Sequence, residues 1–435
     1  MKLIQHITDE DECLESYRLL GITIMERATV KYRRAANSNL PLSKVYKRYF
    51  GKIIYKSKYY NINGLFKNDL SIFSIPIIGS LKLNGYKLYF FLGIKVYSKP
   101  LKFLSDFKSE CVDSLDQNYD DIYMLLHHLG DTYRMLTIIK GIIRNNQSKN
   151  PLLMVFSESF VDLIQMMNLE IPYVYIQTTK PFKQRMETQF STDVFMLGGF
   201  RFFLVWNQWC WKSRFDPTSR KLPPDTNDLY IKAAAYNVIY DSHSMGKIEI
   251  IPEAEKSMLE KSKQSGLNLE NFVFVAPEAF AYQMYYENFW EDVVKILQKS
   301  GYDVFINTVA GKGDVASSSY TNDKSRIIDL DSIDNVKSFY LTVAEAYALA
   351  CRAKKIISQR SGFSELLVQT NAPMCVIYSG TDRNVVEKFK IRNSLLSAPY
   401  ANANKIHELN VVGMAVSDSI KAVSDILHIN QRVNI

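Results

Sequence analysis

Along this chain the spacing of hydrophobic positions changes character near residue 121. Before that point, residues 9 to about 34 read as a helix: acidic residues crowd its start and Lys31, Arg33 and Arg34 its end, as the helix dipole favours. The stretch 72–96 (IFSIPIIGSLKLNGYKLYFFLGIKV) is instead rich in Ile, Tyr and Phe, and its Asn84-Gly85 pair is a hairpin signal. That predicts a small β-rich unit. Beyond residue 121, apolar runs of strand length alternate with longer helical segments, the pattern of parallel α/β layers. Strands are predicted at 122–127, 152–156 and 173–176, with helices at 132–144 and 159–167 between them. A Pro-rich loop at 222–225 ends this series, and a second begins. It has strands at 271–275, 303–307, 355–358 and 374–378, and helices at 288–301, 343–353 and 362–370. The expected organisation is an N-terminal α+β extension (1–117) followed by two α/β domains (118–245 and 246–435). Ligands in such sheets bind at the carboxyl ends of the strands.

Composition narrows the class. A chain of 435 residues exceeds one ordinary core. Hydrophobic residues at 47% and charged residues at 23% give a globular balance and exclude a disordered chain. The five cysteines (Cys13, Cys111, Cys210, Cys351, Cys375) are scattered with no C-x-x-C pair, which fits a reducing compartment and argues against a zinc site. No metal and no cofactor is expected. The opening residues MKLIQHITDEDE reach acid before any apolar run, and no stretch approaches bilayer-spanning length. A cytoplasmic protein is expected, touching the inner face of a membrane only peripherally.

The net charge of +8 is concentrated in one region. Between residues 41 and 102 lie Lys44, Lys47, Arg48, Lys52, Lys56, Lys58, Lys67, Lys82, Lys87, Lys95, Lys99 and Lys102, opposed only by Asp69. This stretch therefore carries +11, and the rest of the chain sums to −3. Two readings stay open: lysines that keep an exposed sheet soluble, or a surface for anionic lipid headgroups or a charged glycan carrier. Nucleic acid is not expected, because no DNA- or RNA-binding motif accompanies the charge.

Three segments carry candidate chemistry. In His128-Leu129-Gly130-Asp131-Thr132, a strand, a Gly turn and a helix start set Asp131 at the sheet rim, as an N-cap or as a base for an attacking hydroxyl. Pro277-Glu278-Ala279 follows the first strand of the second series, a place where nucleotides are held. In Gln359-Arg360-Ser361-Gly362-Phe363-Ser364-Glu365, small residues and free N–H groups at a helix start suit phosphate oxygens. Arg360 there either grips a diphosphate or pairs with Glu365. Trp206 and Trp209 belong to a cluster of three tryptophans (206–211), either a stacking platform for an acceptor sugar or a packed anchor. Asp329-Leu330-Asp331 has the D-x-D form of a metal–nucleotide motif but lies in the wrong place in the second series, so no metal is assigned to it.

The order of these segments resembles the heptosyltransferase-type glycosyltransferases of the GT-B fold, from bacterial surface polysaccharide biosynthesis. The resemblance runs from about residue 121 to the C-terminus. Its carriers are the L-G-D turn, the strand with its P-x-A turn, the F-W helix, G-Y-D-V, and A-K-K-I-I-x-x-R-S-G-F-S-E-L-L with N-A-P-M-C-V-I-Y. It implies two Rossmann-type domains facing a cleft and metal-free, inverting transfer of a sugar from a nucleotide-diphosphate donor. The acceptor would be a glycan or lipid-linked glycan of capsule or lipopolysaccharide type. Asp131 takes the family's catalytic position, while Pro277, Glu278, Ala279, Arg360, Ser361, Gly362, Ser364 and Glu365 take the donor side. Arg360, Glu365 and Glu278 stand where the family has aspartate, histidine and glycine, and no basic residue precedes Phe289-Trp290 as one precedes the family's W-P. These departures imply a donor other than ADP-heptose. A pyruvyl or glycerophosphoryl transferase and a non-catalytic glycan- or polyanion-binding scaffold remain alternatives, and a homo-oligomer is open.

Overall fold

Short runs of β-branched and aromatic residues, broken at turns, fold the N-terminal region as an antiparallel meander. The computed structural model describes residues 4–9, 14–19, 22–31, 43–49, 54–61, 64–72, 75–83, 86–92, 94–126, 128–177, 194–205, 228–239, 246–277, 279, 289–307, 334–379 and 394–428. In the strands before residue 69, and at 72, 75–77, 83 and 228, it describes the backbone alone. Two compact units result: Met1–Tyr119 with Thr178–Arg214, and Asp120–Gln177 with Phe215–Ile435.

In the first unit, nine strands pair in sequence order: β1 (Ile4–Asp9), β2 (Leu14–Leu19), β3 (Ile22–Lys31), β4 (Ser43–Tyr49), β5 (Ile54–Asn61), β6 (Gly64–Ile72), β7 (Ile75–Leu83), β8 (Tyr86–Phe91) and β9 (Ile94–Pro100). Where a helix is expected over 9–34, the described residues form β2 and β3 instead. Ile22, Thr23, Ile24, Thr29 and Val30 are stiff at χ1 and fit a pleated ladder better than a helix. End-charge bias is a local term of about 0.3–1 kcal/mol and loses to that ladder. The Asn84-Gly85 turn lies outside the described residues, but Leu83 pairs with Tyr86 on either side of it. The extension also has a helix, α1 (Lys102–Phe107), which buries Phe103, Leu104 and Phe107 and runs on into a π-helical turn, Lys108–Val112. A hairpin missed in the sequence, β13 (Val194–Leu197) and β14 (Phe200–Val205), also belongs to this unit. Its Gly198 and Gly199 have φ of 62° and 93°, the left-handed pair that a two-residue hairpin needs.

The second unit is parallel α/β, as expected. Strands β10 (Asp121–Leu125), β11 (Pro151–Val155) and β12 (Tyr173–Tyr175) pair in parallel. Helices α2 (Leu129–Asn145) and α3 (Glu158–Met166) connect them. Further along come α4 (Asp228–Ala235) and α5 (Pro252–Ser265). The remaining strands, β15 (Phe272–Ala276), β16 (Asp303–Ile306), β17 (Val336–Lys337), β18 (Lys355–Gln359), β19 (Met374–Tyr378) and β20 (Ile406–Asn410), form a six-stranded parallel sheet. Its order is β17-β16-β15-β18-β19-β20. Side chains alternate across it. Phe272, Phe274 and Ile356 pack on one face with Met258 of α5 and Leu349 of α7 (Val343–Ala350). Val273, Val275 and Ile357 pack on the other with Val294 of α6 (Phe289–Lys299) and Val423 of α9 (Val416–Ile426). This two-sided burial explains why the strands read as unbroken apolar runs. The helix expected at 362–370 is the single turn α8 (Ser364–Leu367).

Candidate functional site

The six-stranded sheet reverses direction beside its first strand. From β15 the chain runs outward through β16 to β17, then returns to place β18 against β15's other edge. Ligands bind outside the carboxyl ends of the strands at such a switch point. Pro277 follows β15 and is buried there, with Ala279 half-buried beyond it. Arg360, Ser361 and Gly362 follow β18. The two turns singled out in the sequence therefore flank the switch point. Glu278 lies outside the described residues, as do Trp206, Trp209 and Asp329-Leu330-Asp331.

The Ser361-Gly362 turn is tied internally. Ser361 N–H donates to Ser364 Oγ (3.0 Å), and Ser364 N–H donates to Ser361 Oγ (3.3 Å). Among the described residues, no acceptor is seated on the N–H groups of Gly362 and Phe363. Against this turn packs the start of α2. A Cβ built on Gly362 would lie 2.7 Å from Gly130 N, and one on Gly130 would lie 2.9 Å from Gly362 Cα. Neither position accepts a side chain without moving backbone.

Asp131 follows Gly130 directly. The helix begins earlier than the sequence indicated, with His128 as N-cap, so Asp131 sits in the first turn and is not itself the cap. Its carboxylate is 30% exposed, and Lys232 Nζ of α4 lies 3.0 Å from its Oδ1. The Lys232 side chain is only 2% exposed. A buried ammonium costs several kcal/mol unless it is paired, so this contact fixes both partners.

Beneath the turn lies a charged cluster. Glu365 is 1% exposed and its Oε1 accepts from the guanidiniums of both Arg134 (α2) and Arg360. Tyr400 donates to Oε2 at 2.6 Å. Arg360 also donates to Ser361 O (2.6 Å) and Ser364 Oγ (3.3 Å). Burial pushes the Glu365 carboxyl up, but the two guanidiniums outweigh it and hold the group below the ordinary carboxylate range. Arg360 is therefore turned into the protein onto Glu365, the pairing that sequence left open. The shared carboxylate ties Arg134 of α2 and Arg360 of the turn to one point beneath Ser361-Gly362. Arg134, Lys232 and Tyr400 were not singled out in the sequence. Only Lys232 carried a signal there, as the single charge in the apolar run Leu229–Ala235.

No protein-family model matches the chain, and no curated protein matches it. Among solved structures it is similar to a family 9 glycosyl transferase from Veillonella parvula, at 11% identity, with 72% of this chain and 98% of that chain covered and a TM-score of 0.47. It is similar also to the E. coli ADP-heptose lipopolysaccharide heptosyltransferase II, at 9% identity, with 71% and 98% covered and a TM-score of 0.42. An E. coli heptosyltransferase solved with ADP gives 10% identity, 71% and 99% coverage, and a TM-score of 0.40.

Proposed function

We propose that this chain is a glycosyltransferase that moves a sugar from a nucleotide-diphosphate donor to a hydroxyl of a surface-glycan acceptor. One observation carries the reading. A part-exposed carboxylate, Asp131, stands next to a glycine packed on the turn that closes the switch point of a parallel sheet. Base and anion-binding turn are thus adjacent. In this reading the donor's diphosphate lies at the carboxyl ends of β15 and β18, over the N–H groups of Gly362 and Phe363. Arg360, which donates to Ser361 O and Ser364 Oγ, braces the turn that meets the charge developing as the nucleotide leaves. Arg360 works from below the turn, with no bidentate grip on the phosphates.

Asp131 takes the proton of the acceptor hydroxyl as its oxygen forms the new bond to the anomeric carbon and the diphosphate oxygen departs. Lys232 holds the Asp131 carboxylate in place. One carboxylate and a direct attack give inversion at that carbon. The test is a thermal-shift panel of nucleotide-diphosphate sugars, followed by mass detection of product with glycan acceptors. A ligand at 100 times its Kd raises stability by about 2.7 kcal/mol, so one donor class is expected to stand out. A flat panel, with neither nucleotide diphosphates nor their sugars shifting the midpoint, overturns the reading.

A further inference from the structure

The last three strands of the meander sort their side chains into layers. Strands β7 and β8 pair Ile78 with Phe91, Ser80 with Tyr89 and Lys82 with Lys87. Strands β8 and β9 continue these rows, pairing Phe91 with Ile94, Tyr89 with Tyr97 and Lys87 with Lys99. Directly paired residues share a face, and so do residues two apart along a strand. One face therefore carries an apolar row (Ile78, Phe91, Ile94), a tyrosine row (Tyr89, Tyr97) and a lysine row (Lys82, Lys87, Lys99). Successive rows are spaced about 7 Å apart. The apolar row lies at the β8–β9 hairpin tip, where Phe91 is 50% and Ile94 69% exposed, and Leu92 beside them is exposed as well. The tyrosine rings lie 5.6 Å apart, and Lys87 Nζ sits 4.9 Å from the centre of the Tyr89 ring.

We infer that this face docks on an anionic lipid bilayer, tip first. The order of layers matches the order of environments met on entering one. Apolar side chains reach the acyl boundary, tyrosines sit at headgroup level where amphipathic rings partition, and lysines meet the phosphates. A protein partner or nucleic acid gives no reason for the cations to stand in one row at a fixed depth from an apolar tip. Charge selects the lipid: three lysines stand in register across three strands, and among the described residues their ladder partners include no acid. Lys95 supplies an internal control, because it pairs with Phe90 and so lies on the opposite face of the same edge.

The experiment is flotation of the full-length protein with phosphatidylcholine vesicles, with and without phosphatidylglycerol. Binding is expected only with the anionic lipid and is expected to fall steeply with salt. At low salt, Lys82→Glu/Lys87→Glu/Lys99→Glu should weaken it on the order of 100-fold, from roughly 5-fold per lysine. Lys95→Glu should change it much less, and circular dichroism confirms that the sheet is retained in each variant. A Phe91→Trp variant should shift its fluorescence to the blue on binding and be quenched by brominated acyl chains. Equal binding to neutral vesicles, equal loss from Lys95→Glu, or an unquenched tip tryptophan each overturns the proposal. So does failure to float while an RNA homopolymer binds, or self-association that Phe91→Ser abolishes.

Discussion

Lys232 Nζ lies 3.0 Å from Asp131 Oδ1, a buried ammonium held by a carboxylate that itself reaches solvent. The pair joins α4 to the first turn of α2, so the candidate base is also the countercharge of an interior lysine.

Replacing Asp131 therefore has two separable effects. Asp131→Asn is expected to lower kcat by about 10²–10⁴ while leaving nucleotide affinity nearly intact. It should also cost about 2–3 kcal/mol, because Lys232 loses its carboxylate. The double variant Asp131→Asn/Lys232→Met should regain much of that stability and none of the activity. Urea unfolding and turnover, measured on the same preparations, check both. A single variant as active as the parent removes Asp131 from the mechanism.

Gly362→Ala tests the backbone contact. Its Cβ would sit 2.7 Å from Gly130 N, so the turn or the helix start must shift. A loss of about 1–3 kcal/mol is expected, as for overpacking in a core. Nucleotide-diphosphate affinity, followed by calorimetry, should fall as the turn N–H groups move. Wild-type stability and affinity together would contradict the contact.

Glu365→Gln leaves Arg134 and Arg360 buried together without their shared carboxylate. Removing one side of a buried ionic cluster typically costs about 3–5 kcal/mol. The expected readout is a large drop in the urea midpoint. A loss below about 1 kcal/mol would mean that the cluster contributes little to holding α2 against the turn.

Asp162 of α3 accepts Ala344 N–H at 3.0 Å, linking α3 to the start of α7. Burial raises its pKa, and the Glu345 charge adds to that, against the hydrogen bonds from Ala344, Thr342 and Val343. A folded pKa above the unfolded value of about 3.9 means that the folded state binds more protons between the two. Asp162's contribution is therefore greatest below that unfolded value and declines as pH rises through the raised one. Asp162→Asn keeps an acceptor for the N–H and does not titrate. Its stability relative to the parent is expected to improve from pH 4 to pH 8 in parallel denaturation series, and a ratio independent of pH would contradict this.

The parallel sheets were legible in the sequence because their strands are buried on both faces. MCVIY gave β19 at both ends, and FVFV gave all of β15 but its last residue. Strand β20 (IHELN) was missed because it lies at the sheet edge and has only two apolar residues, Ile406 and Leu409, with neither an apolar run nor an alternation to mark it. Residues 9–34 misled because charges placed like end-charges sit on a β-branched stretch. In the candidate site, Asp131 and the turn at 360–362 were singled out because turns carry glycine and local spacing. Arg134 and Tyr400 were not, because what defines them is a shared partner, Glu365, far away in the chain.

The Gly130–Gly362 contact also has a mechanical consequence. Two backbones touching with no side chain between them form a fulcrum. A rigid rotation of the β10–β12 layer against the six-stranded sheet about that point moves the far rims most and the fulcrum hardly at all. Asp131 and Ser361 are the immediate sequence neighbours of the two glycines, so their separation stays nearly constant through such a stroke. Spacing between the two layers would change farther out along the lever, while Asp131 and the Ser361-Gly362 turn keep their register.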